Sequence, residues 1–417
     1  MSPAPRLAIV TPGFTIGGGV PRVARFLRDV ASSNGLEVNV IDLATSRHDS
    51  NSSRLLQPRT LMKSPAIDRS PEDNFVWRVG CHLAELEPCR YVSTSNVRRL
   101  LDGFDLVQVV AGTPSWAMAV RGVKVPVALQ VATTTNWERK SRDTSGGILE
   151  RSYRRAATAS AGYFDRLGAT VPDATFVENH EMLSWMRGAA QQGARVTLIP
   201  PGIDTELFSP SSEPWDPRRP LVSVGRLGEA RKGWDRLIRA YMVLAQQVPD
   251  IPTLRIIGKG EPTPSVRKLL SDAQIACRVR IYRDPTDVEL ARLLASSSIF
   301  VATPYEEGLG LAALEAMACG LPVIATETAG SREYLIPGKT GFMLLQDGDS
   351  LGTQLVNGYL QTVRHGADMS QFARRFVTQH YANSHVGRKI MNLWHSVLAS
   401  PPNPSSNDLS RRGLRCP

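Results

Sequence analysis

Short apolar runs and helically spaced apolar positions alternate along this chain from one end to the other. Arg6 to Thr11 is an apolar run of strand length that ends in Pro12-Gly13. After Gly17-Gly18-Gly19, the residues Val23, Leu27 and Val30 repeat at helical intervals, which predicts a helix over Val20 to Ala31. The same criteria make strands of Leu36 to Leu43, Asp105 to Val110, Val123 to Val131, Ala174 to Val177 and Arg195 to Ile199. Between them, helix is expected around Arg98 to Leu101 and over Glu181 to Gly188. A second series has strands at Leu221 to Val224, Leu254 to Ile257, Arg278 to Tyr282, Ile299 to Ala302 and Val323 to Ala325. Its helices are expected at Trp234 to Gln246, Val266 to Ala273 and Asp287 to Leu294, with a last striped helical stretch from Gln371 to Leu398. Alternation of this kind predicts parallel, doubly wound sheets of the α/β class.

The interruptions divide the chain. Ser46 to Asp73 is rich in Ser, Pro, Arg and Asn without periodicity and reads as an extended loop or insertion. Pro200-Pro201-Gly202-Ile203-Asp204 stops the first series, and four prolines with little apolar content follow between Ser209 and Pro220. The expected organisation is a first domain over 1–205, a linker over 206–219 and a second domain over 220–375. A helical segment over 376–398 is expected to pack back on the first domain, ahead of a disordered tail over 399–417.

Glycine loops follow several strands, at the sheet edge where α/β proteins bind ligands. The richest runs from Glu306 to Ala325, E-E-G-L-G-L-A-A-L-E-A-M-A-C-G-L-P-V-I-A, in which a loop opens a helix that Gly320 and Pro322 close. The first amides of a helix have no partner within it, and that end carries about half a positive charge, so an anion fits there. Glu307 in the loop and Glu315 in the helix flank the place and would accept from sugar hydroxyls. Taken alone, the loop is equally a tight turn whose glycines permit positive φ. A second loop, Gly225 to Gly233, supplies Arg226 and Lys232 six positions apart. A diphosphate carries two or three negative charges where a helix end offers about half of one. Arg can fork onto two phosphate oxygens and Lys can act as a movable point charge. Gly258-Lys259-Gly260-Glu261 forms another loop at the same edge. Asp347-Gly348-Asp349 precedes a helix and reads as a capping turn rather than a metal ligand pair.

Composition narrows the classes. The 417 residues are 42% apolar and 21% charged, ordinary for a globular protein of two or three domains. No apolar run reaches the roughly 20 residues that span a bilayer, and no signal-peptide plan opens the chain, which predicts a cytoplasmic protein. Five scattered cysteines without C-x-x-C spacing predict reduced thiols. The net charge of +10 is spread over both halves and favours anionic partners, nucleotides or the inner face of an acidic membrane bound peripherally. Basic residues do not cluster with aromatics, so nucleic acid is not an expected partner.

Together, Pro201-Gly202-Ile203-Asp204, the G-R-L and K-G of Gly225 to Gly233, I-G-K-G at Ile257 to Gly260 and the E-G-x-G-x-x-x-x-E-A-M-A-x-G-x-P-V-I-A pattern from Glu307 resemble family 4 of the retaining glycosyltransferases, often called group 1. The resemblance is strong over about residues 200 to 345; the first half shares only its opening strand and Gly17 to Gly19. It implies the GT-B fold, two Rossmann-like doubly wound parallel-sheet domains facing across a cleft. It implies a transferase that moves a sugar from a UDP- or GDP-sugar to a glycan, lipid-linked or small-molecule acceptor with retention of configuration and without a metal. Arg226, Lys232 and Glu307 would be the catalytic residues. Gly258, Gly260, Gly308, Leu309, Gly310, Leu311 and Glu315 would bind the donor, with Gly18 and Gly19 closing from the first domain. Two positions depart: Leu309 stands where the family usually has Phe, and Gln130-Val131-Ala132-Thr133 replaces a stretch that often carries a His. A Rossmann-type oxidoreductase is disfavoured by the missing G-x-G-x-x-G and by the two cations. A non-catalytic nucleotide-sugar-binding partner stays open because the His is lost.

Overall fold

Strands rich in Val, Ile and Leu, the central ones buried on both faces, build two separate sheets in this computed structural model, which describes residues 4–15, 18–55, 57–61, 64–92, 94–139 and 148–399. The chain divides at Pro201 and at Gly387 into two compact units. The first takes the chain up to Pro201 and from Gly387 onward, and the second takes Gly202–Val386. The expected linker over 206–219 is counted within the second unit, and the 376–398 segment is divided between the two. The tail expected to be disordered lies outside the described residues.

The first unit holds β1 (Arg6–Pro12), β2 (Glu37–Leu43), β3 (Ile67–Arg69), β4 (Val76–Val79), β5 (Leu106–Ala111), β6 (Val127–Val131), β7 (Ala174–Val177) and β8 (Arg195–Leu198). Their order is β3-β4-β2-β1-β5-β6-β7-β8, so the order reverses at β1, a switch point where the loop after a strand opens at the sheet edge. All neighbours pair in parallel except β3 with β4. That pair corrects the expectation of an extended loop over 46–73. Ile67 pairs with Val79 and Arg69 with Trp77, and the Arg69 guanidinium lies 4.6 Å over the Trp77 ring. Two such short strands show no period, and only the contact between them makes them strands. Residues Pro58–Leu61 add a helical turn within the same stretch. A helix over Ile148–Ala169, which the apolar spacing did not predict, crosses a turn at Pro114–Val120. Gly168 makes that crossing possible, because a Cβ there would lie 2.0 Å from the Pro114 carbonyl oxygen.

One face of this sheet packs Val107, Val109, Leu129 and Val131 against Leu101, Met182 and Met186. On the first unit the helix Asn383–Leu398 buries Trp394 completely, and its indole Nε1 donates to Gln108 Oε1 at 2.8 Å. Gln108 Nε2 in turn donates to the Val109 carbonyl, so this buried amide is satisfied on both ends.

The second unit holds β9 (Leu221–Val224), β10 (Leu254–Gly258), β11 (Val279–Arg283), β12 (Ile299–Ala302), β13 (Val323–Thr326) and β14 (Gly341–Leu344), in the order β11-β10-β9-β12-β13-β14. All five pairings are parallel. The order reverses between β9 and β12, and the loops after these two strands carry the charged residues singled out above. The strand β14 was not expected: Gly341, with φ 152°, sits where a Cβ would be 1.7 Å from the Val323 carbonyl oxygen. The stripe expected over Gln371 to Leu398 is two helices, Leu351–His380 and Asn383–Leu398, the first beginning well before Gln371. Trp215 of the proline-rich stretch is seated on the long helix at Gly366, where a Cβ would be 2.1 Å from the ring, and its Nε1 donates to Ser298 O at 2.8 Å. Residues 347–349 form a turn, with Asp349 N donating to Asp347 Oδ1. The four described cysteines form no disulfide, and among the described residues no helix is long and apolar enough to cross a membrane.

Trp394→Ala should cost the first unit about 3–5 kcal/mol, and Trp394→Phe less, since Phe fills most of the space but leaves Gln108 Oε1 unpaired. Urea denaturation of the full chain measures both. Equal stability of the Ala variant and the wild type would mean that this helix contributes little to the first unit.

Candidate functional site

The loop between β9 and the helix Trp234–Gln247 is drawn against the end of β12 by a glycine. Gly233 has φ 66°, and a Cβ on it would lie 2.1 Å from the Thr303 carbonyl oxygen, so no other residue permits the approach. Gly258 plays the same part toward the other neighbour, where a Cβ would be 1.7 Å from Gly225 O. Leu227 N donates to Lys259 O at 2.9 Å and Trp234 Nε1 to Arg226 O at 3.0 Å, fixing the main chain on either side of Arg226. Tyr305 N donates to Arg231 O at 2.8 Å, which binds this loop to the one that begins after β12.

Charges of alternating sign run across the two loops. Arg226 Nη1 donates to Glu229 Oε1 at 2.5 Å, Arg231 Nε to Glu229 Oε2 at 3.0 Å, and Arg231 Nη1 to Glu306 Oε2 at 3.2 Å. Beside them Lys232 Nζ donates to Glu307 Oε2. Arg226 is the outermost, with its side chain 49% exposed, while those of Lys232 and Glu307 are 18% and 20% exposed. Burial by itself would raise the Glu307 carboxyl, but Lys232, Arg231 and Arg226 outweigh it and hold it below the usual carboxylate range. Glu229 behaves in the same way, with burial opposed first by Arg231, then by Arg226 and Lys232. Arg236 secures the second loop from below. It donates to Thr303 O and Pro304 O at 2.6 Å each and to Gln346 Oε1 at 2.9 Å, and its guanidinium lies 3.9 Å over the Tyr305 ring.

Gly308 and Leu309 are buried behind Glu307, and Gly310, φ 90°, starts the helix Leu311–Ala318. A third close approach closes the arrangement: a Cβ on Gly330 would be 2.5 Å from Leu309 O, and Gly330 N donates to Glu307 O at 2.9 Å. The first turn of the helix therefore opens beside Lys232 and Glu307, and a cavity lined by Lys232, Glu307, Gly310, Thr326, Ser331 and Tyr334 adjoins it. Glu315 lies in the second turn of this helix and is only 2% exposed. Gly260 N donates to Asp284 Oδ1 at 3.3 Å, holding the loop after β10 to the one after β11.

The remaining expected site residues, Gly18 and Gly19, lie in the first unit at the start of the helix Gly19–Ser33; Gly17 lies outside the described residues. Gly18 has φ 116°, whereas nothing within 4 Å would oppose a Cβ on Gly19. The loop before them is pinned by Asp42, which accepts from Phe14 N at 2.8 Å and from Thr15 Oγ1 at 3.2 Å. Burial raises the Asp42 carboxyl despite these bonds. Where the sequence departs from the resemblance, Gln130 is buried and donates to Glu178 Oε1 and Ile199 O, both at 3.4 Å, so it belongs to the interior of its unit. Sequence reasoning missed Glu229, Arg231 and Glu306 as partners of the cations, and Arg236 and Tyr334. The one signal for the first three was the abutting charge in E-A-R-K-G and E-E-G, which does not say which charge meets which.

Residues 218–361 match the family model described as glycosyl transferases group 1. The chain is 31% identical over 247 residues to a GDP-mannose-dependent alpha-(1-6)-phosphatidylinositol monomannoside mannosyltransferase of Mycolicibacterium smegmatis, with 55% of this chain and 63% of that protein covered. It is 35% identical over 165 residues to a D-inositol 3-phosphate glycosyltransferase of Pseudarthrobacter chlorophenolicus, with 37% and 39% covered. The chain thus spans between about two fifths and three fifths of the length of these two relatives. Its structure is similar to sucrose-phosphate synthase from Thermosynechococcus elongatus, with a TM-score of 0.69 at 17% identity over 95% of this chain and 99% of the other. It is also similar to Anabaena HepE in complex with UDP-glucose, with a TM-score of 0.66 at 15% identity over 94% and 99%. The fold is GT-B. Both sheets are parallel and doubly wound as the sequence predicted, apart from the antiparallel β3–β4 pair.

Glu307 and Glu229 sit below the ordinary carboxylate range, so the stability they contribute is complete above that range and is lost as pH falls through their folded values. Lys232→Met removes the largest opposing charge and leaves Glu307 more exposed to the effect of burial. The variant should lose about 1–3 kcal/mol at pH 7. The gap from wild type should narrow as the pH is lowered toward about 4, where carboxylates begin to protonate. Thermal unfolding at both pH values tests this, and a gap independent of pH would mean that Glu307 does not depend on the ammonium group.

Proposed function

We propose that the chain is a nucleotide-sugar-dependent glycosyltransferase whose donor diphosphate is held in the second unit by Arg226, Lys232 and the first-turn amides of the helix Leu311–Ala318. The observation that carries the reading is the meeting of Lys232 with Glu307 at the mouth of that helix, beside the Arg226–Glu229 pair. Cations and amides stand together where an anion would sit, and carboxylates beside them can accept from sugar hydroxyls. The match of residues 218–361 to glycosyl transferases group 1 supports the reading, as do the relatives named above.

In this reading the bond between the sugar and the distal phosphate breaks, and the nucleoside diphosphate leaves with the electron pair. Donors already in place meet the developing charge without having to reorganise, which is where such sites gain most of their rate. Arg226 and Lys232 supply full charges, and the amides of Gly308 to Leu311 supply dipoles. Glu307 orients the sugar through its hydroxyls, Glu315 accepts from the ribose, and Gly258 and Gly260 let the main chain approach the donor. The leaving group is neutralised by protein cations, so the reading assigns the reaction no metal. With no residue assigned as a nucleophile, retention follows from attack on the face that the diphosphate vacates, as in family 4. The donor is a UDP- or GDP-sugar. The acceptor is a glycan, a lipid-linked saccharide or a small polyol, and the surplus positive charge suits an anionic acceptor or a peripheral stay on an acidic membrane.

Differential scanning with UDP, GDP and their sugars should raise the melting temperature for one base, by the equivalent of about 2.7 kcal/mol at a hundredfold excess over Kd. Lys232→Ala and Arg226→Ala should each lower turnover of that nucleotide sugar by about 10²–10³-fold, the size of effect seen when one stabilising donor is removed. Turnover unchanged in either variant would reject the role given to that residue.

A further inference from the structure

Tyr334 lines the cavity beside the Leu311–Ala318 helix, and only 3% of the residue is exposed. Its hydroxyl donates to no described residue and is not among the fully enclosed polar atoms, so it opens onto this cavity, where a ligand can meet it. The neighbouring hydroxyls are engaged. Thr326 Oγ1 donates to Pro304 O at 2.7 Å, Ser331 Oγ donates to Thr328 O at 3.2 Å, and Thr328 Oγ1 accepts from Ser331 N at 3.1 Å. Tyr334 is also held firmly. Thr340 Oγ1 donates to its carbonyl at 2.8 Å, and the turn before it is locked to the Glu307 loop through Gly330.

The position of the hydroxyl says what it waits for. A Cβ on Gly310 would lie 2.9 Å from the Tyr334 oxygen and 3.4 Å from Glu307 Cγ, so the hydroxyl stands at the entrance to the first helical turn. The amides there point outward unpaired, and the phenol adds an O–H beside them. The nearby Glu307 accepts from Lys232 through Oε2. No described residue accepts from the phenol, so an oxygen carried by a ligand can take its proton. Phosphate oxygens are the acceptors that a row of amides, an ammonium and a phenol select together.

We propose that Tyr334 is a ligand contact: its hydroxyl donates to an oxygen of the distal phosphate of the donor diphosphate. The inference rests on the glycosyltransferase reading and deepens it by adding a neutral donor that counts phosphates. A nucleoside monophosphate cannot reach it, whereas a diphosphate or a diphosphate sugar can. The glycine at 310 keeps the path between phenol and phosphate free, since any side chain there would stand within 3 Å of the hydroxyl.

Tyr334→Phe removes the oxygen and keeps the ring. Calorimetric titration of wild type and variant with UDP and UMP, and with GDP and GMP, is paired with thermal unfolding of both proteins. The variant should melt at or above the wild-type temperature, because no bond within the protein is lost. It should bind the preferred diphosphate about tenfold more weakly, the worth of one charge-assisted bond, with the monophosphate unchanged. Diphosphate affinity within twofold of wild type overturns the inference alone, as does an equal loss for mono- and diphosphate or a lower melting temperature. A wild-type chain that binds neither diphosphate overturns the glycosyltransferase reading and this inference together.

Discussion

A lysine and a glutamate 75 positions apart meet at one sheet edge, and the neighbouring loops are shaped by the need to keep them there. Three cations, Arg226, Arg231 and Lys232, stand within seven residues of one another, and without compensation they would repel. Glu229, Glu306 and Glu307 are interleaved with them, so each charge taken from water faces an opposite one. The steric side of the same requirement falls on glycines. Gly233 against Thr303 O, Gly258 against Gly225 O and Gly330 against Leu309 O are three places where a methyl group would hold the loops apart and separate the charges. In the proposed transfer the diphosphate competes with carboxylates for cations already gathered, so assembling positive charge is part of folding rather than of binding.

The first unit is held by different means. Some of its interior polar groups meet partners distant in sequence: Asp165 accepts from Ser115 N at 3.2 Å and Thr135 N at 2.7 Å, and Gln108 takes the indole proton of Trp394 from the C-terminal helix. The run Thr133-Thr134-Thr135-Asn136 enters a short helix at Thr135, whose amide donates to Asp165 Oδ2 at 2.7 Å. Buried bonds of this kind specify where a segment lies more than they add to stability.

The strands of both sheets were legible almost to the residue where they were long, apolar and fully buried, as with Leu221–Val224 and Ile299–Ala302. They were illegible where only pairing makes them strands, as with Ile67–Arg69, Val76–Val79 and Gly341–Leu344. The expected strand over Val123 to Val131 begins only at Val127, because Pro126 has no amide to give the ladder and contributes just its carbonyl, to Val107 N. The Ile148–Ala169 helix was missed because its large apolar residues are few and widely spaced among Arg, Ser and Ala.

Taken alone, the order of residues determined the α/β class, the two series of strands and the glycine and charge types at the strand ends, since period and turn chemistry act over a few neighbours. It also named Arg226, Lys232, Glu307 and Gly310 as belonging to one site. What only the tertiary structure decided was the pairing: Arg231 with Glu306 rather than with solvent, Lys232 with Glu307, Trp394 with Gln108, and a tyrosine hydroxyl opening onto a cavity beside Gly310. Contacts between residues tens to hundreds of positions apart depend on how sheets order their strands and how closely loops can approach. A linear pattern carries no measure of either distance.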